Sequence, residues 1–436
     1  MKTKLIETLL RARVAWFILP ALFFMLSTAR PASAQYTTAG AYTSWTSYNT
    51  YFLFRDSGSP QGKYFAEHQG NTNNPESGFW EEAEEIEDAD DAYYFAVNNG
   101  YSSSDQAAIV TEINSLCQGF VNEHTASWGT SDRFNDDLDW AIIAFIRAYQ
   151  ITNAAGSPNT QWLTDAENNF TTVYGRAQTG NGGLAQAQPP SPVPSGWEPN
   201  LDAPVNFTFV IAGYLIYGNG GGTAYKTDAD GVYTWAMANL YTTSSNNGGP
   251  CTGYSSLTCG KIRDSNPGGP YTIAPWSSYS NTASSIGPDD YTYNYGIAIQ
   301  AATREGGATN FTEAQNIANY LMYNLNNTTA PVDGMAYDGT YEGYNILPNY
   351  GQDGVNNAGY NGIALRGVGF GYSRGSLSAT TLAFAQANVN AAWLNKNSNS
   401  VVWNDWKAGA TTPASGGLYS WDCSAALAGL LDIPAP

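Results

Sequence analysis

From Leu138 to Tyr149 the chain reads Leu-Asp-Trp-Ala-Ile-Ile-Ala-Phe-Ile-Arg-Ala-Tyr. Wound as a helix, this run is apolar on almost every side, and such a helix belongs in the middle of a domain. The stretches Asp105–Cys117 and Asp165–Val173 differ in that each keeps one polar face, the pattern of a helix lying on the outside. Helix-period patterns recur near 41–55, 78–98, 105–123, 137–152, 160–174, 203–217, 227–241, 291–304, 311–325, 359–373, 378–396 and 417–430, between loops rich in Gly, Asn and Pro. Strand-period alternation is weak throughout. Twelve such helices predict an all-α fold: six helical hairpins closed into an (α/α)6 barrel, with apolar helices inside and amphipathic ones outside. No repeat of about 34 to 47 residues supports an open solenoid. No linker divides the chain, because the Pro-rich segment 188–204 is flanked by helical patterns and reads as a loop within one domain.

The start of the chain has another character. Lys2, Lys4, Arg11 and Arg13 precede the apolar stretch Val14 to Leu26, and Ala32-Ser33-Ala34 offers a small-x-small cleavage site. Residues 1–34 are therefore expected to be a signal peptide and residues 35–436 the barrel domain of a secreted protein, extracellular or periplasmic. The leader holds five basic residues and one acid, so its removal takes the net charge from −19 to −23. An acidic surface of that size repels phosphate backbones and anionic lipid, which argues against nucleic-acid and membrane partners. Only 13% of residues are charged while 14% are aromatic, with 30 tyrosines. That balance suits a neutral polyhydroxylated partner, whose C–H faces can lie on aromatic rings. Composition alone favours an ordinary extracellular protein with a Tyr-rich, Asn-rich surface and no such partner.

Four cysteines are present, and export favours their pairing. Cys251 and Cys259 are expected to staple one Gly/Ser/Asn-rich loop, and Cys117 with Cys423 to join an early helix to the last one; two other pairings stay open. His68 and His124 are the only histidines. No metal site and no organic cofactor is expected. Gly371-Tyr372-Ser373-Arg374-Gly375 has the outline of a serine-hydrolase elbow, but both histidines precede the serine, which excludes that order. Asp228-Ala229-Asp230-Gly231 places its glycine too early for a calcium loop.

The candidate chemistry lies in acids at helix starts. Asn135-Asp136-Asp137 opens the central apolar helix. The plain reading is capping, since Asn and Asp satisfy orphan amides there and the helix dipole favours acids. The catalytic reading needs two carboxyls about 5–5.5 Å apart across a glycosidic bond. Neighbours inside a regular helix diverge by about 100°, so a convergent pair is plausible only at a helix mouth, where these two lie. Their pKa values must also be unequal, and mutual repulsion can achieve that. Between Glu81 and Asp91 stand eight acids, most of them expected on a solvated face. Asp90, however, fills a slot in the apolar stripe of that helix and is a candidate for the cleft, because a buried acid needs a partner or ligand. Trp80, beside the stripe, reads as core or as a sugar platform. Asp289-Asp290, ahead of Tyr291, is the rival acid pair.

With these residues in view, the chain resembles glycoside hydrolase family 76, the endo-α-1,6-mannanases. The likeness runs from about Phe79 to the C-terminus. It is carried by Trp80 with Ala83, Asn135-Asp136-Asp137 with Trp140, Gly182-Gly183, Asn206, the segment Gly260 to Asp264, Tyr291-Thr292-Tyr293-Asn294-Tyr295-Gly296 and Gly362-Ile363-Ala364-Leu365-Arg366-Gly367. The resemblance implies an (α/α)6 barrel and a retaining, cofactor-free cleavage of α-1,6-mannan by a monomer. It implies that Asp136 is the nucleophile and Asp137 the acid/base. Substrate contacts are expected at Trp80, Asn135, Asn206, Tyr293, Asn294 and Arg366. Three positions depart from the family pattern: Leu184 replaces a tryptophan after Gly182-Gly183, Asp202 an asparagine, and Ala141 a second tryptophan. Mannan transglycosylation, a catalytically idle glycan-binding protein and a self-assembling surface protein are the alternatives.

Overall fold

The computed structural model describes residues 35–69, 77–189, 192, 200–243, 249–264, 291–325, 337–351, 354, 356–414 and 417–436. The expected leader and the pair Asp289-Asp290 lie outside the described residues. Twelve α-helices run through the described chain: α1 (Thr38–Phe52), α2 (Phe79–Asn98), α3 (Ser103–His124), α4 (Asn135–Ala154), α5 (Thr160–Ala177), α6 (Ala203–Gly218), α7 (Thr223–Leu240), α8 (Thr292–Glu305), α9 (Gly307–Tyr323), α10 (Tyr360–Ser373), α11 (Ala379–Leu394) and α12 (Ser420–Asp432). Each falls on one of the helix-period segments. Four two-stranded antiparallel pieces decorate them: β1 (Leu53–Arg55) with β2 (Lys63–Phe65), β3 (Tyr241–Thr242) with β6 (Lys261–Ile262), β4 (Gly249–Cys251) with β5 (Tyr254–Cys259), and β7 (Thr340–Tyr341) with β8 (Tyr344–Asn345).

The even-numbered helices form a closed ring, α2 on α4, α4 on α6, α6 on α8, α8 on α10, α10 on α12, and α12 back on α2. The odd-numbered helices pack outside this ring, α3 on α2, α5 on α4, α7 on α6, α9 on α8, α11 on α10 and α12, and α1 on α12. This is an (α/α)6 barrel, and the hydrophobic pattern explains which helix goes where. Inner α4 buries every residue from Leu138 to Ile146. Outer α5 buries Trp162, Asp165, Ala166, Asn169, Phe170, Val173 and Ala177, a single stripe spaced by threes and fours. Two inner helices touch backbone to backbone. A Cβ on Gly296 of α8 would lie 2.4 Å from the carbonyl oxygen of Ile363, and one on Gly367 of α10 would lie 2.2 Å from the oxygen of Gly296. Only glycine fits at both positions.

Two expectations fail here. The acids of α2 do not form a solvated face, because α2 is an inner helix and has none: Glu82, Glu84, Glu85, Glu87, Asp88, Asp90 and Asp91 are all buried. Their charge is matched from neighbouring inner helices. Arg366 of α10 donates to Glu84, to Asp88 at 3.0 Å and to Asp91 at 2.7 Å, and Arg147 of α4 donates to Glu87 and Asp91. Ser424 of α12 donates to Asp88 at 2.6 Å, and Tyr48 and Ser77 to Glu85 at 3.2 Å each. Nor is there a Cys117–Cys423 disulfide. Both thiols are buried and free, Cys117 facing Asp90, Asp165 and Glu82, Cys423 facing Asp422 and Glu85. They occupy separate interfaces of α2, so the ring closes by packing of α12 on α2 without a covalent bond. Cys251 and Cys259 are bonded, as expected, across the β4–β5 hairpin.

Candidate active site

At the end of the barrel where the inner helices begin, a cavity of about 280 Å³ is lined by Trp80, Phe134, Asp136, Asp137, Trp140, Gln186, Tyr293, Asn356 and Tyr360. Trp80 comes from the start of α2, Tyr293 from the start of α8, and Tyr360 is the first residue of α10. Neither acid of the pair is the N-cap residue. The N-cap of α4 is Phe134, with no side-chain cap bond, and Asp136 and Asp137 are the second and third helical residues. Both face the cavity.

Asn135, fully buried, fixes the loop opposite. Its backbone N–H donates to the Gln186 carbonyl at 2.6 Å and its Nδ2 to the Ala185 carbonyl at 2.6 Å, while its Oδ1 accepts from Arg176 Nε at 2.6 Å. Asn206 holds the same loop one residue earlier. Its Oδ1 accepts from the Leu184 N–H at 2.9 Å and its Nδ2 donates to the Leu184 carbonyl at 3.2 Å. Gly183 lies against the ring of Trp235, where a Cβ would be 2.5 Å away. These anchors present the Gln186 side chain to Asp136.

The two acids titrate apart. Burial raises Asp136 to about 7, against the first-turn amides and the Gln186 side chain, which lower it, and with Asp132 raising it further. Burial drives Asp137 well above the ordinary carboxylate range, and the charges of Asp136, Asp132 and Glu81 push the same way. Glu81 is itself raised to about 7, chiefly by burial. Asp136 therefore ionises first while Asp137 keeps its proton.

A second tier of acids backs the cavity. Tyr293 Oη donates to Asp264 Oδ1 at 3.1 Å and Asn294 Nδ2 donates to the same oxygen at 2.6 Å. Asp264 is raised to about 6 by burial, less than it would be without those two donors. Asp202 caps α6 through the Val205 N–H at 3.3 Å, and burial together with Asp136 and Asp264 lifts it well above normal. Trp80 Nε1 donates to Asn356 Oδ1 at 3.1 Å, which ties the start of α2 to the segment before α10.

The cavity thus brings together Trp80, Asp136, Asp137 and Tyr293 of the expected residues. Asn135, Asn206 and Asn294 stand behind it as supports, each spending its amide on backbone or on Asp264. Asp90 and Arg366 are elsewhere. Asp90 is sealed in the barrel interior, with neither carboxylate oxygen hydrogen-bonded and a strongly raised pKa from burial. Arg366 is consumed by the acids of α2. Phe134, Gln186, Asn356 and Tyr360 line the cavity without having been singled out from sequence. Gln186 could have been suspected from its place just after Gly182-Gly183; the other three carry no local signal. Among the described residues no group of acids, histidines and cysteines is arranged to hold a metal ion, and no helix is long and apolar enough to cross a membrane.

No protein-family model and no curated protein matches the sequence. Solved structures match the fold. An inactive variant of an α-1,6-mannanase from Salegentibacter sp., with two adjacent aspartates replaced by alanine and α-1,6-mannotetrose bound, is similar over 91% of this chain and 98% of its own, at TM-score 0.63 and 17% identity. A family 76 glycoside hydrolase (mannosidase) from Bacteroides thetaiotaomicron is similar over 91% and 96%, at TM-score 0.61 and 16% identity. An unsaturated glucuronyl hydrolase specific for heparin matches over 90% and 94%, at TM-score 0.54 and 11% identity. At these identities the likeness shows the (α/α)6-barrel fold.

Proposed function

We propose that this protein is a glycosidase of family 76 that cleaves α-1,6-mannosidic bonds within mannan and retains anomeric configuration. The observation that carries the reading is the pair Asp136 and Asp137, adjacent in α4, facing one cavity, both raised by burial, with the first-turn amides and Gln186 lowering Asp136 and the charge of Asp136 raising Asp137. The motif likeness and the fold shared with α-1,6-mannanases support the substrate class.

Asp136, ionised, attacks the anomeric carbon and displaces the leaving sugar, whose glycosidic oxygen takes the proton of Asp137. Asp137, now a carboxylate, then draws a proton from water, and the water oxygen attacks the same carbon and frees Asp136. Trp80, Trp140, Tyr293 and Tyr360 supply the ring faces and hydroxyls that a mannosyl residue meets in the cavity. The leader 1–34 is removed on export and the mature chain acts outside the cell, as a monomer and without metal or organic cofactor.

The test is incubation of the purified protein with α-1,6-mannan, counting new reducing ends and reading the first-formed anomer by proton NMR. New α-anomeric ends, absent from Asp136→Asn and Asp137→Asn, are expected. No cleavage from acid to mildly alkaline pH, with intact mannan bound, would establish a glycan-binding protein instead.

A further inference from the structure

The inner helices run parallel, so their last turns meet at the other end of the barrel. There they enclose a second cavity, of about 470 Å³, between the ends of α2, α4, α8 and α10. Four guanidinium groups line it, those of Arg147, Arg304, Arg366 and Arg374, in a chain whose net charge is −19. Two of them are neutralised, Arg147 by Glu87 and Asp91, and Arg366 by Glu84, Asp88 and Asp91, with Asp432 3.8 Å from it.

The other two are not. Neither Arg304 nor Arg374 makes an ion pair or a side-chain hydrogen bond among the described residues, and both pack on the ring of Phe370, at 4.3 and 5.4 Å from its centroid. Arg304 Nε is buried with no acceptor. Burial and the like charges of Arg147 and Arg374 press the Arg304 guanidinium down to about 9, against a smaller opposing pull from Glu87 and Tyr94. Arg304 stands in the last turn of α8, where the helix dipole favours a cation. That accounts for a positive residue at this place, but it leaves the buried N–H without an acceptor and the positive charges crowded. The amide of Gln300, nearly buried, adds a neutral donor to the same wall, while the Ser373 hydroxyl at the rim donates to the Phe370 carbonyl at 2.8 Å.

We propose that this second cavity is an oxyanion-binding site that takes a phosphate group, with Arg304 at its floor and Arg374 at its exposed rim as the charged ligands. A planar guanidinium offers paired N–H donors that match phosphate oxygens, and bound phosphate would satisfy the buried Nε–H and relieve the crowding of positive charge. The phosphate can arrive free or as the ester of a sugar, and the two share this chemistry. The site is remote from Asp136 and Asp137, and its occupancy does not depend on whether the protein cleaves mannan.

The experiment is a thermal-shift and calorimetric titration of the intact protein with inorganic phosphate, with a hexose 6-phosphate, and with chloride at matched ionic strength. A saturable rise in Tm with phosphate or the ester, absent with chloride, is the expected result, and the tighter of the two ligands identifies the source. Arg304→Gln and Arg374→Gln should each weaken binding by about tenfold or more, the scale of one lost charge-assisted contact; Arg374 is exposed, so its substitution leaves folding intact. Asp136→Asn should leave phosphate binding unchanged. No saturable response in the wild-type protein, or equal binding by Arg374→Gln, overturns the proposal.

Discussion

The side chain of Gln186 faces the carboxyl of Asp136 and lowers its pKa, which helps keep Asp136 at about 7, while Asp137, its neighbour in α4, is raised by burial and by the charge of Asp136 itself. The proposed mechanism needs Asp136 ionised and Asp137 protonated, so kcat/KM should climb from acid pH with an apparent pKa near 7 and fall again on the alkaline side. Removing the donor takes away a lowering influence. Gln186→Ala should therefore move the acid limb to higher pH, and a limb that moves down, measured as kcat/KM against pH, would break the link.

Replacing Asp136, the proposed nucleophile, should stabilise the fold. A carboxyl raised on folding gives its full stability below the unfolded pKa near 4 and loses it as pH rises through the folded value, here about 7. Asp136→Asn removes that loss. It should raise stability above pH 7 by on the order of 4 kcal/mol at most and leave it unchanged below pH 4, while cleavage of mannan falls by several orders of magnitude. Urea denaturation at both pH values checks the sign.

Asp202 stands where the resemblance leads one to expect asparagine, yet its pKa is pushed far up by burial and by Asp136 and Asp264. That shift favours its protonated form, which presents the charge of an amide. Asp202→Asn should accordingly keep near-normal turnover and an unshifted acid limb at neutral pH. A drop of tenfold or more in kcat would mean that the carboxyl itself takes part.

Arg366 is a structural residue in this barrel. Arg366→Gln would strand Glu84, Asp88 and Asp91 with fewer partners in the core, a change that costs roughly 3–5 kcal/mol. Chemical denaturation should show that loss, while activity per folded molecule at permissive temperature stays close to wild type.

The thiols give a chemical readout of the fold. Unfolded without reductant, the protein should release two reactive thiols, Cys117 and Cys423, and the native protein none, because both are buried. Zero thiols on unfolding would restore the second disulfide.

Much of the barrel could be read from periodicity. Twelve helices, the unbroken apolar run of α4 and the single stripe of α5 are local facts, and each reports its own surroundings. The acids of α2 show where such reading ends: a run of charges looks solvated until Arg147 and Arg366 arrive from helices about 60 and 280 residues away. Cys117 and Cys423 failed for the same reason, since only packing says which interface each thiol enters. Among the site residues, Asp136 and Asp137 were visible because a helix mouth is a local feature, whereas Asn356 and Tyr360 reach the cavity only through ring closure.

By itself the order of apolar and polar residues determined that this chain is helical, that α4 goes inside and α3 and α5 outside, and that two aspartates open α4. Tertiary structure decided which acids keep their protons and which arginines are left unpaired, at opposite ends of one barrel. Periodicity is a property of neighbours along the chain, while protonation depends on burial and on charges brought in from everywhere else.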